Sequence, residues 1–395
     1  MKIPFNIRAP SFDANAIHET IRQALTSAGL DTTAGQMHDV TETIRRALGP
    51  ADTTLNGGAN VANHDAIDVA ARVVDEPTRP DSEPAHQQQA GRSPAPATFD
   101  THTFSNRAGT LAYKLYVPAS VGDAPPLLLM LHGCTQSADD FATGTRMNQL
   151  AEKHGFLVVY PEQATGANPS RCWNWFSAPD QVRDCGEPSL IAGITRSVAE
   201  RHGADPRRMF VAGLSAGAAM AVILGETYPE LIAGVGAHSG LPYGSAHDIP
   251  SALAAMKGGR GRSSAGIRNA VGASAPTGRG PAAHAVPTIV FHGDRDHTVQ
   301  YSNATEIVQQ AVNAHAAQVE GAGAGIRTES GSVPGGRRYS RAVHADARGQ
   351  THVEAWTVHG AGHAWSGGSA SGTYTDKSGP DASAEMVRFF LDLRR

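Results

Sequence analysis

Met209-Phe210-Val211-Ala212-Gly213-Leu214-Ser215-Ala216-Gly217-Ala218-Ala219-Met220-Ala221-Val222-Ile223-Leu224 is the stretch on which the reading of the fold turns. Residues 209–212 are an apolar run of strand type, and residues 216–224 form a good helix-forming segment. Between them stands a serine with a glycine two residues to either side. In a chain with 43 glycines the pattern Gly-x-Ser-x-Gly says little alone. Its setting, strand then tight turn then helix, says more. The two glycines remove Cβ atoms where such a turn meets its neighbours, so Ser215 would stand exposed beyond the strand end. The new helix would aim its first amides at negative charge developing beside that hydroxyl.

Outward from this stretch, apolar runs and helical patterns alternate from about residue 99 to the C-terminus. Strands are expected at 111–117, 127–131, 156–160, 209–212, 234–237, 288–291 and 355–358. Several are unbroken apolar runs, as central strands covered on both faces require. Helices are expected at 146–153, 190–200, 216–227, 304–315 and 382–393. This alternation predicts an α/β fold with a doubly wound, mostly parallel sheet over residues 99–395. Residues 257–285 and 321–336, biased toward Gly, Arg, Ser and Ala, read as mobile loops between strands.

Residues 1–98 have a different character. IHETIRQALTSAGL from Ile17 and VTETIRRALGP from Val40 repeat one apolar spacing, and both read as amphipathic helices ended by Gly29 and Gly49. Residues 1–50 are therefore expected to be a small helical segment that docks or tethers, with a granule or protein partner as its candidate target. Residues 51–98, rich in Gly, Pro, Asn, Asp and Gln and without periodicity, read as a flexible linker. The N-terminus has no apolar core of the secretory kind. A net charge of −4 and a pI near 6.5 give no basic footprint for nucleic acid. No apolar run approaches the roughly 20 residues of a membrane-spanning helix. Three cysteines are too few for a disulfide scaffold. Cys172 and Cys185 are a candidate pair closing one loop, and three reduced thiols are the competing reading.

A serine hydroxyl needs a base to take its proton. His292-Gly293-Asp294-Arg295-Asp296 follows the run 288–291, which places a carboxylate just past a strand end. Gly360-Ala361-Gly362-His363 follows the run 355–358 and does the same for an imidazole. Reactive groups of open α/β sheets gather at these carboxyl ends, and the order Ser, Asp, His is that of an α/β-hydrolase. Asp296, deeper in its loop than Asp294, is the preferred acid, and Asp294 is expected to bond loop amides. His359 lies four residues before His363, a zinc-like spacing on a helix, but the glycines between them oppose a helix. For the oxyanion hole, Ala216 supplies one backbone amide by position. Cys134, after the run 127–131, supplies the second, and its thiol is expected to be packed rather than reactive.

At these residues the chain resembles the poly(3-hydroxybutyrate) depolymerase-type esterases, a family related to feruloyl and acetylxylan esterases. The resemblance rests on LHGCTQSADDF (131–141), RCWNWF (171–176), GLSAGAAM (213–220), HSGLPYG (238–244), HGDRDHTV (292–299) and GHAWSGG (362–368). It implies the α/β-hydrolase fold, with Ser215 as nucleophile, Asp296 as acid, His363 as base, and Cys134 and Ala216 as oxyanion donors. It also implies substrate-cleft positions at Trp173, Trp175, Tyr243 and Trp365, with core packing an equal reading for Trp175. The substrate it implies is a polyester, its oligomers or another short-chain ester, with a feruloyl or acetylxylan ester or a chiefly binding role as alternatives. No metal or organic cofactor is implied. The family's usual compartment is extracellular, whereas this N-terminus predicts no secretion signal.

Overall fold

Apolar runs buried on both faces make the middle of a ten-stranded sheet. The computed structural model describes residues 96–259, 285–318 and 325–393, all within one compact unit, Arg92–Arg395. The amphipathic segment 1–50 and nearly all of the linker 51–98 lie outside the described residues, as do residues 260–284. The strands are β1 (Thr98–Asn106), β2 (Gly109–Val117), β3 (Leu127–Leu131), β4 (Leu157–Glu162), β5 (Met209–Leu214), β6 (Gly234–His238), β7 (Thr288–Gly293), β8 (Gly325–Ser332), β9 (Arg338–Ala345) and β10 (Thr351–Val358). They lie in the order β1-β2-β4-β3-β5-β6-β7-β10-β9-β8. From β4 to β10 every pairing is parallel, and the two margins are antiparallel. This is the mostly parallel α/β sheet that the sequence predicts.

Side-chain alternation along β3 sorts the core into two layers. Leu127, Leu129 and Leu131 pack with Ile191, Val198, Ile223 and Ile307. Those four residues come from α3 (Gly186–His202), α4 (Ala216–Thr227) and α6 (Ser302–Ala316). Leu128 and Met130 face the opposite layer with Phe141, Met147, Met386 and Phe390. These belong to α1 (Ala138–Thr145), α2 (Met147–His154) and α7 (Ala382–Asp392). Burying each such side chain contributes about 1.5–3 kcal/mol against leaving it in water, which holds helices to both faces. A further helix, α5 (Ile249–Met256), begins with a capping box in which Asp248 and Ser251 exchange bonds.

One expectation is corrected. Most of the described part of 321–336 is a strand, β8, whose Gly325–Ser332 register pairs throughout with β9. It is an edge strand, exposed along almost its whole length. With no buried face it needs no apolar alternation, and backbone hydrogen bonds hold it to its neighbour. β1, with Phe99 and Phe104 packed against the core and its other residues polar, pairs with β2 from Thr98↔Val117 to Asn106↔Gly109.

Candidate active site

Three loops leave the carboxyl ends of β5, β7 and β10, so the order of strands brings Ser215, Asp296 and His363 to one edge of the sheet. Ser215 sits at φ 56°, ψ −117° between β5 and α4, a strained setting for a non-glycine residue and one that recurs at functional sites. Its amide donates to the His238 carbonyl at the end of β6 (2.9 Å), and its carbonyl accepts from Ala219 (3.0 Å). The flanking glycines are sterically required. A Cβ on Gly217 would lie 2.1 Å from the Leu131 carbonyl oxygen, and one on Gly213 would lie 2.4 Å from the Gly217 carbonyl carbon. Helix α4 can therefore press against the end of β3 only where it lacks a side chain.

Asp296 is buried. Its Oδ1 accepts from the Thr298 and Val299 amides (2.9 and 2.8 Å), and its Oδ2 accepts from His363 Nδ1 (2.7 Å). Burial alone would raise the pKa of this carboxyl. The bond and charge of His363 and the Val299 amide outweigh it and hold the group below the usual carboxylate range. With its proton on Nδ1, His363 keeps the Nε2 lone pair for a proton acceptor's work. Asp294 has another task, and the loop-bonding expectation holds: it accepts from the Gly360 amide (2.7 Å) and from His359 Nδ1 (2.9 Å). His359 Nε2 in turn accepts from the Ser340 hydroxyl (2.9 Å). These bonds, with the Arg295 amide on the Ala361 carbonyl (3.0 Å), clamp the acid loop to the histidine loop.

Two buried histidines that sequence reasoning left without a role support this clamp. His292 donates from Nε2 to the Val299 carbonyl (2.8 Å) and lies 3.5 Å from Asp296 Oδ2. His238 accepts the Ser366 amide on Nε2 (3.0 Å) and stacks between Phe291 and Trp365. Burial, with His292 and His363 nearby, lowers the His238 pKa to about 3, so it packs as a neutral ring. Both histidines stand in the quoted motifs, HGDRDHTV and HSGLPYG. A motif alone could not tell a packed imidazole from a reacting one.

The two amides expected to face an oxyanion, those of Ala216 and Cys134, follow the ends of β5 and β3. The Ala216 amide is the first of α4 and has no partner within its own helix. Cys134 follows the end of β3, and its sulfur is bonded to Cys172, with Cα atoms 4.2 Å apart. The candidate pair Cys172–Cys185 is thereby corrected, and so is the reading of three reduced thiols. Cys185 is a free, exposed cysteine just ahead of α3. The loop carrying Cys172 folds back over the loop carrying Cys134, where the Thr135 amide donates to the Ser170 carbonyl (2.7 Å). Chain spacing could not predict that approach.

The aromatic positions divide. Trp173 and Trp365 are fully buried and their indole N–H groups are engaged, with the His132 carbonyl (3.1 Å) and the Ser383 hydroxyl (3.0 Å) respectively. The cleft-wall expectation is corrected for these two, which are core side chains because a hydrogen-bonded interior awaited each N–H. Trp175 is also buried, edge-on against Phe176, so of its two readings core packing holds. Tyr243 is partly exposed after β6, and its hydroxyl donates to the Gln181 carbonyl (3.0 Å).

The fold is that of an α/β-hydrolase. Its likeness to an acetyl xylan esterase from Aspergillus awamori has a TM-score of 0.57 at 19% identity, covering 74% of this chain and 99% of that one. A family model described as Esterase PHB depolymerase matches residues 111–331, more than half of the sequence, and the chain belongs to that family. Among curated relatives, poly(3-hydroxyalkanoate) depolymerase C of Paucimonas lemoignei is 34% identical over 269 residues, which are 68% of this chain and 61% of the relative. A probable acetylxylan esterase A of Aspergillus fumigatus is 36% identical over 145 residues, 36% of this chain and 38% of the relative. The chain thus spans less than two thirds of the length of either.

Proposed function

We propose that this protein is a serine carboxylic-ester hydrolase acting on poly(3-hydroxyalkanoate)-type polyesters, their oligomers or related short-chain hydroxyacid esters. The observation that carries the proposal is the 2.7 Å bond from His363 Nδ1 to buried Asp296, across the sheet end from a serine held in a strained turn. In the reaction His363 Nε2 takes the proton of Ser215 as its oxygen attacks the ester carbonyl. The Cys134 and Ala216 amides hold the oxyanion, and the alcohol departs with the proton returned by His363. Water, deprotonated by the same nitrogen, then releases the acid and restores the serine. Of the aromatic positions, Tyr243 is the one we assign to the cleft. The polyester reading is preferred over a carbohydrate ester because similarity to the depolymerase extends over 68% of the chain, against 36% for the acetylxylan esterase.

Hydrolysis of p-nitrophenyl butyrate, soluble 3-hydroxybutyrate oligomers and acetylated xylan, with and without a serine-directed phosphonate, tests this. Phosphonate-sensitive turnover of the first two is expected. Turnover of acetylated xylan in preference to the oligomers would replace the substrate class. Ser215→Ala is expected to lower kcat by roughly four to six powers of ten with the fold intact by circular dichroism. A variant as active as the parent would overturn the serine mechanism.

A further inference from the structure

Glu187 belongs to none of the reacting groups, yet its carboxylate connects through Gln163 to Cys134 by two routes that part at Gln163. It is the second residue of α3 and is buried. Its Oε1 accepts from Gln163 Nε2 (2.5 Å) and Asn174 Nδ2 (2.6 Å), and its Oε2 accepts from the Asn174 amide (2.8 Å). The first route runs through Gln163, whose backbone amide donates to His132 Nε2 (3.1 Å). His132 must then carry its proton on Nδ1, which donates to the Gly133 carbonyl (2.8 Å). In a trans peptide the carbonyl and the following N–H point in opposite directions. A fixed Gly133 carbonyl therefore fixes the direction of the Cys134 N–H. The second route runs from the Gln163 side chain to the Cys172 carbonyl (3.1 Å) and through the disulfide to the Cys134 side chain.

Every partner of the Glu187 carboxylate is an N–H donor. An ionised carboxylate satisfies all three, whereas a protonated one turns an O–H toward groups that cannot accept it. The charged neighbour facing it is Asp180, which accepts the Glu187 amide (2.7 Å). His132 lies beyond Gln163, and the Glu162 and Arg171 charges acting on it pair with each other at 3.9 Å. Burial, with Asp180 beside it, pushes the Glu187 carboxyl up to about 7.

We propose that ionised Glu187 is a positioning residue that sets the Cys134 amide for the oxyanion, so that protonating Glu187 slackens the site. The proposal rests on the hydrolase reading above. It predicts a second group, besides the general base, in the acid limb of kcat. The test is the dependence of kcat and KM on pH from 5 to 8 with p-nitrophenyl butyrate, each enzyme being titrated with the phosphonate to count competent serines. In the wild-type protein log kcat should fall with a slope approaching two. Glu187→Gln should lower kcat by roughly 10–100-fold, within the loss expected for a misdirected oxyanion donor, with KM within about twofold and the slope reduced to one.

Asn174→Asp gives a milder reading. It keeps the acceptor that Asn168 Nδ2 uses (3.0 Å) and sets a like charge beside Glu187, so the acid limb should move up by roughly a pH unit. A phosphonate-reactive enzyme whose limb has slope one, or stays in place in Asn174→Asp, overturns the positioning role and leaves the hydrolase reading intact. A wild-type protein that neither reacts with the phosphonate nor turns over ester overturns both.

Discussion

The Asp296 carboxylate on Nδ1 of His363 determines which nitrogen of that ring carries the lone pair. Asp296 and Asp294 differ by two positions in one loop, yet one meets His363 and the other fastens Gly360 and His359. Asp296→Asn should therefore allow the wrong tautomer and lower kcat by roughly 10⁴-fold. Asp294→Asn should leave kcat within about tenfold and lower stability by about 1 kcal/mol, the net worth of one or two hydrogen bonds at a half-exposed site. Steady-state kinetics and urea unfolding on the two proteins check both. Equal losses of kcat would mean that the acid has been misassigned. At this scale the positions of Ser215, Asp296 and His363 just past strand ends were legible in the sequence, since each follows an apolar run directly; the roles assigned to them belong to the proposal.

Among the elements, α4 and β10 carry the sharpest demands. A Cβ on Gly217 would meet the Leu131 and His132 carbonyl oxygens at 2.1 and 2.5 Å, whereas one on Gly362 would meet nothing within 4 Å. Gly217→Ala should cost about 3 kcal/mol or more through forced backbone displacement, and Gly362→Ala should stay within about 0.5 kcal/mol. Chemical denaturation of the pair measures the difference. On β10, buried Glu354 accepts two bonds from Arg341 (2.8 and 3.0 Å) and one from Arg388 (2.7 Å). Burial would raise its pKa, but the two arginines outweigh that and hold it below the usual range. Glu354→Ala should cost about 3 kcal/mol, the low end for a broken buried ion pair, because both arginines still reach solvent. An unchanged unfolding midpoint would show that the cluster contributes nothing net. Glu354 was not legible beforehand, since its partners come from β9 and α7, 13 and 34 residues away.

Across the whole molecule, buried histidines set the response to acid. His132, His238 and His292 all have pKa values below the ordinary 6.5, chiefly from burial. The unfolded chain takes up protons on these rings below pH 6.5 while the folded chain does not, so stability falls as the pH drops from 6.5, continuing toward about 3 for His238. Glu187 acts in the opposite sense: its raised value adds stability as the pH falls from about 7 to 4.5. With His202 and His344 lowered in the same sense, five rings oppose two raised carboxyls, Glu187 and Asp180, and predict a net loss between pH 6.5 and 5, measurable as a lower urea midpoint. His238→Gln should reduce that pH dependence, and a midpoint constant from pH 7 to 5 would contradict the assignment. Among the described residues no helix is long and apolar enough to cross a membrane.

What the amino-acid sequence determined by itself was local in origin: the buried runs of the central strands, the helices that cover them, and the serine, aspartate and histidine at strand ends. Each depends on side chains within a few residues of one another, where periodicity and glycine placement act directly. Tertiary structure alone decided that Cys134 pairs with Cys172, that Trp173 and Trp365 are core rather than cleft, and that Glu187 is bonded to Gln163 and Asn174. Those outcomes depend on which loops approach one another after the sheet has formed. The approach is governed by hydrogen-bond partners tens of residues away, and no local pattern encodes it.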